Sequence, residues 1–291
     1  APLVKLSVDD RPDFEDVLAK TLKDLDQKSW STEVDELLKE VSERIPRELP
    51  SIRFGVETAL LDWLNGGQRL IFRTPFVTEE KPIPINGLIW MGDESFMLEQ
   101  MEEKLADGFS TIKMKVGAIE WKKEYALLEQ LRRRFSVQEL TLRVDANGAF
   151  TPESVIPILT QLSELDVHSI EQPIQPGQIN AMSELCEHSP IGIALDEEMI
   201  GIHEFEQKRS LLKSISPQFI VLKPSLHGGF HGCSEWIQLA EENQIAWWMT
   251  SALESSIGLN AIAQFTATFS DLLPQGLGTG GLYTNNFDSS L

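Results

Sequence analysis

Three acidic side chains recur at nearly equal intervals: Asp145, Glu171 and Asp196 stand 26 and 25 residues apart. Each closes a short apolar run, in Arg143-Val144-Asp145-Ala146-Asn147, Ile170-Glu171-Gln172-Pro173 and Ala194-Leu195-Asp196-Glu197-Glu198. Any one of them alone reads as a helix cap or a solvated loop residue. Three at a common spacing read differently, because carboxylates gathered at neighbouring strand ends repel one another unless a cation lies between them. Hard oxygen donors with room left for water or substrate suit magnesium. One run earlier, Thr111-Ile112-Lys113-Met114-Lys115 alternates with a period of two, placing both amines on one side of a strand and Ile112 and Met114 on the other. A third amine, Lys223, ends the run Val221-Leu222-Lys223. A buried amine tends to a lowered pKa, which suits it to accept protons. Facing a metal-bound carboxylate, it is placed to remove the weakly acidic proton α to that carboxylate, with the metal and a second cation stabilising the enediolate.

The elements that must position these groups are legible as short apolar or β-branched runs alternating with amphipathic helices, the signature of successive βα units. Strands are expected near 85–91, 111–116, 140–144, 167–170, 191–195, 219–222 and 245–249, with a weak eighth near 275–277. Helices are expected between them, among them 121–135, 152–165 behind a Thr151 cap, and 230–243. Eight parallel strands imply a closed β/α barrel, an α/β fold whose functional groups gather at the C-terminal strand ends. In that closure strands two and six oppose each other, so Lys223 faces Lys113 and Lys115 across the carboxylates. An open doubly wound sheet would need a glycine-rich turn after the first strand, and none follows it. Residues 1–80 read instead as a mostly helical capping region, with residues 81–291 as the barrel. Phe14, Val17, Leu18 and Leu22 form one apolar stripe and Val34, Leu37, Leu38, Val41 and Ile45 a second. A third helix over 51–64 stops at Asn65-Gly66-Gly67.

The 291 residues are 42% hydrophobic, enough for a large core, and carry 45 acidic against 25 basic side chains, a formal charge of −20. Such a field repels polyanions and argues against nucleic acid or an anionic membrane as partner. A carboxylate substrate would therefore need a locally cationic site. Cys186 and Cys233 show neither metal-ligand spacing nor a disulfide framework and read as buried thiols of a reducing compartment, the cytoplasm. The longest apolar stretch, 245–269, is broken by Glu254, so no membrane span is expected. Nothing at the start of the chain has the form of a secretory signal. The five histidines, at 168, 188, 203, 227 and 231, share no strand-end position and read as surface or loop groups.

The Lys113-Met114-Lys115 motif, the three carboxylates and Lys223 together resemble the enolase superfamily and, within it, the muconate-lactonizing subgroup. Three further stretches resemble its o-succinylbenzoate synthase family: Ala1-Pro2-Leu3 with Leu6-Ser7, Phe54-Gly55-Val56-Glu57-Thr58-Ala59-Leu60, and Ser251-Ala252-Leu253-Glu254-Ser255-Ser256. The resemblance implies a barrel with an N-terminal α+β capping domain, here truncated, and a loop over residues 1–7 that closes on the active site. It implies Asp145, Glu171 and Asp196 as Mg2+ ligands, with Mn2+ as a substitute, Lys115 as acid/base and Lys223 as the opposing, partly electrostatic amine. Lys113, Asn147, Ser251 and Gly278 are the implied substrate contacts. The implied reaction is a syn-dehydration of 2-succinyl-6-hydroxy-2,4-cyclohexadiene-1-carboxylate to o-succinylbenzoate in menaquinone synthesis. Racemisation of N-succinylamino acids, or another isomerisation of the subgroup, uses the same template. Gly278-Thr279-Gly280 stands where dipeptide epimerases carry an Asp-x-Asp pair, which weighs against that activity. A non-catalytic metal- or ligand-binding barrel is the remote alternative.

Overall fold

The computed structural model describes residues 2–287, so Ala1 of the opening motif lies outside the described residues. Helices α1 (Phe14–Leu25), α2 (Val34–Arg44) and α3 (Pro50–Leu64) and the single turn α4 (Pro75–Thr78) come first. Strands and helices then alternate: β1 (Gly87–Ile89), α5 (Glu94–Ala106), β2 (Thr111–Lys115), α6 (Trp121–Arg134), β3 (Thr141–Asp145), α7 (Pro152–Glu164), β4 (Ser169–Glu171) and α8 (Ile179–His188). They continue as β5 (Gly192–Leu195), α9 (Phe205–Ile215), β6 (Phe219–Leu222), α10 (Pro224–His227), α11 (Gly229–Glu242), β7 (Ala246–Met249) and α12 (Ser256–Thr266). The seven strands form one parallel sheet in chain order. Among the described residues no strand precedes Gly87, so the expected α+β cap is present here as helices alone.

Local chemistry sets the helix ends. Thr151 and Ser154 exchange backbone-to-side-chain hydrogen bonds of 3.2 and 2.9 Å, a reciprocal cap that starts α7. Gly66 and Gly67, at φ 92° and 71°, supply the left-handed exit from α3. Phe14, Val17 and Leu18 of α1 lean on the core as expected, but Leu22, at 50% exposed, does not. It sits to one side of the stripe that Phe14, Val17, Leu18 and Leu25 keep against the core.

The eighth run departs from expectation. Gln275 and Gly276 pair only as single bridges, with Ile85 and Thr250. Asn86 N–H donates to the Gln275 carbonyl at 2.9 Å and Gly276 N–H to the Met249 carbonyl at 2.7 Å, so the segment still spans the gap between β7 and β1. Pro274 has no N–H to extend the ladder on one side. At Gly276 the backbone lies so close to Thr250 that a Cβ would stand 2.5 Å from its hydroxyl oxygen.

The main core lies between the sheet and its helices, where Ile112, Met114, Leu142, Val144, Ile170, Ile193, Ile220 and Leu222 are buried. The inner face is different. One layer below the strand ends, Ala194, Val221 and Trp248 form a small apolar cluster with Phe219 against it. The Arg143 guanidinium lies 4.3 Å from the Trp248 ring centre, and its Nη1 donates to the Pro274 carbonyl at 2.7 Å. These side chains plug the barrel and give the strand-end groups a solid floor.

The cap helix α3 is buried along most of its length. Phe54 meets Phe230 edge-on at 5.3 Å and Phe72 meets Phe230 at 5.2 Å, joining cap to barrel. Glu57, with none of its surface exposed, accepts hydrogen bonds from the Phe230 and His231 backbone N–H groups at the start of α11. One histidine contradicts the surface reading: His227 is 1% exposed, because the short helix α10 packs against α3 and α11.

Candidate active site

Strand register assembles the site. Lys115 is paired with Asp145 across β2 and β3, and Asp145 with Glu171 across β3 and β4. Glu171 is paired with Ala194 on β5, so Asp196 lies one inward-facing position further on. Alternation turns Lys113, Lys115, Asp145, Glu171, Asp196 and Lys223 all toward the barrel interior, where they line one cavity of about 150 Å³. The three carboxylates are at most 2% exposed.

The amines interleave with the carboxylates. Lys113 Nζ donates to Asp145 Oδ2 at 3.0 Å and to Glu171 Oε2 at 2.8 Å. Lys115 Nζ donates to the same Asp145 oxygen at 2.9 Å and to Asn147 Oδ1 at 2.6 Å. From the opposite side, Lys223 Nζ grips both oxygens of Asp196, at 2.6 Å to Oδ1. Asn147 in turn donates to Glu197 Oε1 at 2.9 Å.

Two loop residues hold the strand ends in place. Gln172 accepts the Asp196 and Glu198 backbone N–H groups at 3.2 and 3.1 Å through Oε1 and donates to the Ile174 carbonyl at 2.9 Å, tying the loop after β4 to the loop after β5. Asn147 and Gln172 have φ of 43° and 38°, the sharp turn that leaves each preceding carboxylate facing the cavity.

Charge balance explains the protonation tendencies. Burial favours the neutral carboxyl at Asp145, but Lys113 and Lys115 outweigh it and hold that group below its ordinary value. Burial and the neighbouring Asp145 raise Glu171 to about 8, and burial also raises Asp196 despite Lys223. Burial would depress Lys113 and Lys223, yet their carboxylate partners keep both above the ordinary lysine value. Three lysines and four acidic side chains, counting Glu197, line the cavity, and Glu171, raised to about 8, is the acid that holds a proton near neutral pH.

The all-oxygen donor set of Asp145, Glu171 and Asp196 fits a hard divalent cation, whose charge would favour the ionised form of each carboxylate. As the side chains stand, the lysine amines lie among the carboxylate oxygens. Among the described residues no group of three or more His, Cys, Asp or Glu side chains is gathered closely enough to hold a metal ion. The fit is thus one of donor chemistry.

Of the substrate contacts expected from sequence, Lys113, Asn147 and Ser251 line this cavity, whereas Gly278 does not and its neighbour Thr279 does. The Ser251 and Thr279 hydroxyls are 2.6 Å apart and both buried. Sequence reading missed Leu88, Trp90 and Thr250, which also line the cavity. The period-two rule applied to β1 and β7 would have found them, since they share inward parity with the strand ends. Leu3 and Leu6, in the loop expected to close on the site, line it too. Leu3, Ala252 and Leu253 are shared with a neighbouring cavity of about 650 Å³ between α3 and the loop after β7.

Comparison with known proteins agrees with this fold. Residues 97–288 match the family model described as enolase C-terminal domain-like. An o-succinylbenzoate synthase from Desulfotalea psychrophila is 51% identical over 266 residues, which are 91% of this chain and 72% of that protein. Another, from Thermosynechococcus vestitus, is 30% identical over 83% of this chain and 71% of its own length. The crystal structure of MenC from Desulfotalea psychrophila superposes with a TM-score of 0.84 at 43% identity, covering 100% of this chain and 86% of that one.

Proposed function

The chain belongs to the o-succinylbenzoate synthase family of enolase C-terminal domain-like proteins, and from that premise we propose that it dehydrates 2-succinyl-6-hydroxy-2,4-cyclohexadiene-1-carboxylate to o-succinylbenzoate in menaquinone synthesis. The observation that carries the reading is the opposition of amines across the buried carboxylates, Lys113 and Lys115 at Asp145 and Lys223 at Asp196. Proton removal from one face and charge stabilisation from the other need that arrangement.

Lys115, at the mouth of β2, removes the proton at the ring carbon that bears the carboxylate. The electron pair left behind spreads into the carboxylate as an enediolate. It then forms the third ring double bond, to the adjacent hydroxyl-bearing carbon, as that carbon's C–O bond breaks, and the same Lys115 ammonium returns its proton to the departing hydroxide, which leaves as water. Both events occur on one face, which is why a single residue serves as base and then acid. Lys223 faces the enediolate from the far side and stays protonated through its contact with Asp196. Asn147 holds the Lys115 amine on the cavity side through its 2.6 Å hydrogen bond.

Asp145, Glu171 and Asp196 would hold a divalent cation, Mg2+ in this reading, and when bound it supplies positive charge against the substrate carboxylate. The need is electrostatic: a dicarboxylate entering a cavity lined by four acidic side chains against three amines would otherwise meet too little positive charge. Aromatisation drives the reaction forward, so the protein's contribution is positioning and charge stabilisation. The ring packs against Leu88, Trp90, Leu3 and Leu6. The succinyl arm extends past Ala252 and Leu253 into the larger cavity, with the Ser251 and Thr279 hydroxyls beside its path.

No helix among the described residues is long and apolar enough to cross a membrane. The reading carries with it a cytoplasmic location, supported by two buried free cysteines.

The test is turnover of the cyclohexadiene substrate, followed by the appearance of the aromatic product, beside an N-succinylamino acid, each with Mg2+ and with a chelator. Metal-dependent dehydration is the expected result. Racemisation without dehydration would reassign the substrate, and inertness toward both would overturn the reading.

A further inference from the structure

Lys223 is anchored through its ammonium, but its backbone presents a separate problem. Thr250 N–H donates to the Leu222 carbonyl at 2.9 Å, so Leu222 turns its peptide groups toward β7. By alternation the N–H of Lys223, the next residue, turns toward β5. There the sheet has run out: β5 pairs with β6 only at Ala194 and Leu195, and its chain then enters the short 3-10 turn Glu197–Met199. A buried N–H with no ladder acceptor must find one elsewhere.

It finds His227. Lys223 N–H donates to His227 Nδ1 at 3.0 Å, and the His227 backbone N–H donates to the Lys223 carbonyl at 3.0 Å. One residue thereby closes on both backbone groups of the lysine. Accepting at Nδ1 places the imidazole proton on Nε2, which is buried without a hydrogen-bond partner among the described residues. Burial, with Lys223 and Lys208 nearby, holds the ring in its neutral form. An apolar side chain would fill this space without orphaning a donor, so what the imidazole adds is the Nδ1 acceptor.

The surroundings leave His227 little freedom. Its carbonyl packs on Gly232 so closely that a Cβ there would stand 1.9 Å away. Gly228 and Gly229, at φ 88° and 80°, turn the chain into α11. A Cβ on Gly229 would lie 2.1 Å from the Glu57 carboxylate of the cap helix.

We infer that His227 is a positioning residue for Lys223, its Nδ1 replacing the missing ladder acceptor and fixing the backbone from which the lysine reaches Asp196. The inference rests on the proposed role of Lys223 in the dehydration.

Three substitutions test it. His227→Leu keeps an apolar volume and removes the acceptor, His227→Asn keeps an acceptor at the δ position, and His227→Gln moves it one bond outward. Loss of backbone positioning lowers kcat at saturating substrate by about tenfold or more in the Leu and Gln variants, with KM within about threefold. The Asn variant returns to within about threefold of the parent kcat even where its thermal midpoint falls. A role in packing alone would order the variants by thermal midpoint, with kcat unchanged. Parental kcat in the Leu variant, or equal loss in Asn and Gln, overturns the inference, and the Asn and Gln pair decides it if the Leu variant does not fold. Nitrogen-15 NMR of the histidine-labelled protein reads the tautomer without any turnover, and a proton found on Nδ1 also overturns the inference. A parent protein that turns over no substrate but carries its proton on Nε2 would sink the functional reading and leave the hydrogen bond intact.

Discussion

Replacing Glu57 with Gln should change how the stability of this protein depends on pH. Glu57 sits at the seam between cap and barrel, fully buried, and both its oxygens accept backbone N–H groups of α11. Burial raises its pKa from 4.5 to about 8, with the two backbone hydrogen bonds and Arg53 opposing the rise. A group whose folded value lies above its unfolded value contributes stability that is complete below the unfolded value and disappears as pH rises through the folded one. The window is therefore pH 4.5 to about 8. At ~1.4 kcal/mol for each tenfold in proton affinity, the full effect is about 5 kcal/mol. The dipole of α11 favours the carboxylate by up to ~2 kcal/mol, which leaves about 3 kcal/mol. The glutamine cannot titrate and still offers one acceptor. Urea unfolding of both proteins at several pH values across the window isolates Glu57, because every other group is common to the pair. The Gln variant should gain about 3 kcal/mol on the parent between the acid and alkaline ends of the window. Two stability curves that stay parallel would refute the argument, since they would mean that Glu57 has the same proton affinity folded and unfolded.

Further outcomes follow from the same geometry. Lys115→Ala should lower kcat by about 10³-fold with the fold intact by circular dichroism, because general acid–base groups contribute factors of about 10²–10⁴; retention of most activity would remove Lys115 as the base. Chelation should abolish turnover and Mg2+ restore it, with Mn2+ as an effective substitute. Glu171→Gln should weaken Mn2+ binding, followed by electron paramagnetic resonance, by about tenfold or more. Gly276→Ala should destabilise the protein by about 1–3 kcal/mol in denaturant melts, since the new Cβ meets Thr250 at 2.5 Å where the barrel is closed by single bridges.

Much of the site was legible because its residues obey two short-range rules. Alternation in Thr111–Lys115 separates amines from apolar side chains whatever the rest of the chain does, and the structure has Lys113 and Lys115 inward with Ile112 and Met114 buried outward. The near-constant spacing of Asp145, Glu171 and Asp196 reflects one strand and one helix per repeat. Glu197 was visible in the same run but its inward role was not, because alternation carried on from Asp196 turns it outward and the 3-10 turn Glu197–Met199 overrides that parity. The eighth strand was weak in sequence and is two bridges in the structure, for the same reason: a run as short as Gln275-Gly276 carries no period.

His227 shows where local reading stops. A histidine in a Lys-Pro-Ser-Leu-His-Gly-Gly loop reads as exposed, and nothing within a few residues says that α3, far away in the chain, lies across it. Which residues face inward, and that the inward groups at strand ends are carboxylates and amines, was determined by the sequence alone, because the two-residue strand period is a property of the backbone. Which amine meets which carboxylate was decided only by the fold. Strand register sets Lys115 beside Asp145 and Asp145 beside Glu171, barrel curvature brings Lys223 onto Asp196 from the other side, and burial against the cap turns a loop histidine into a backbone acceptor. The amine–carboxylate hydrogen bonds join residues 27 to 58 apart in the chain, and such contacts exist only once the chain has closed.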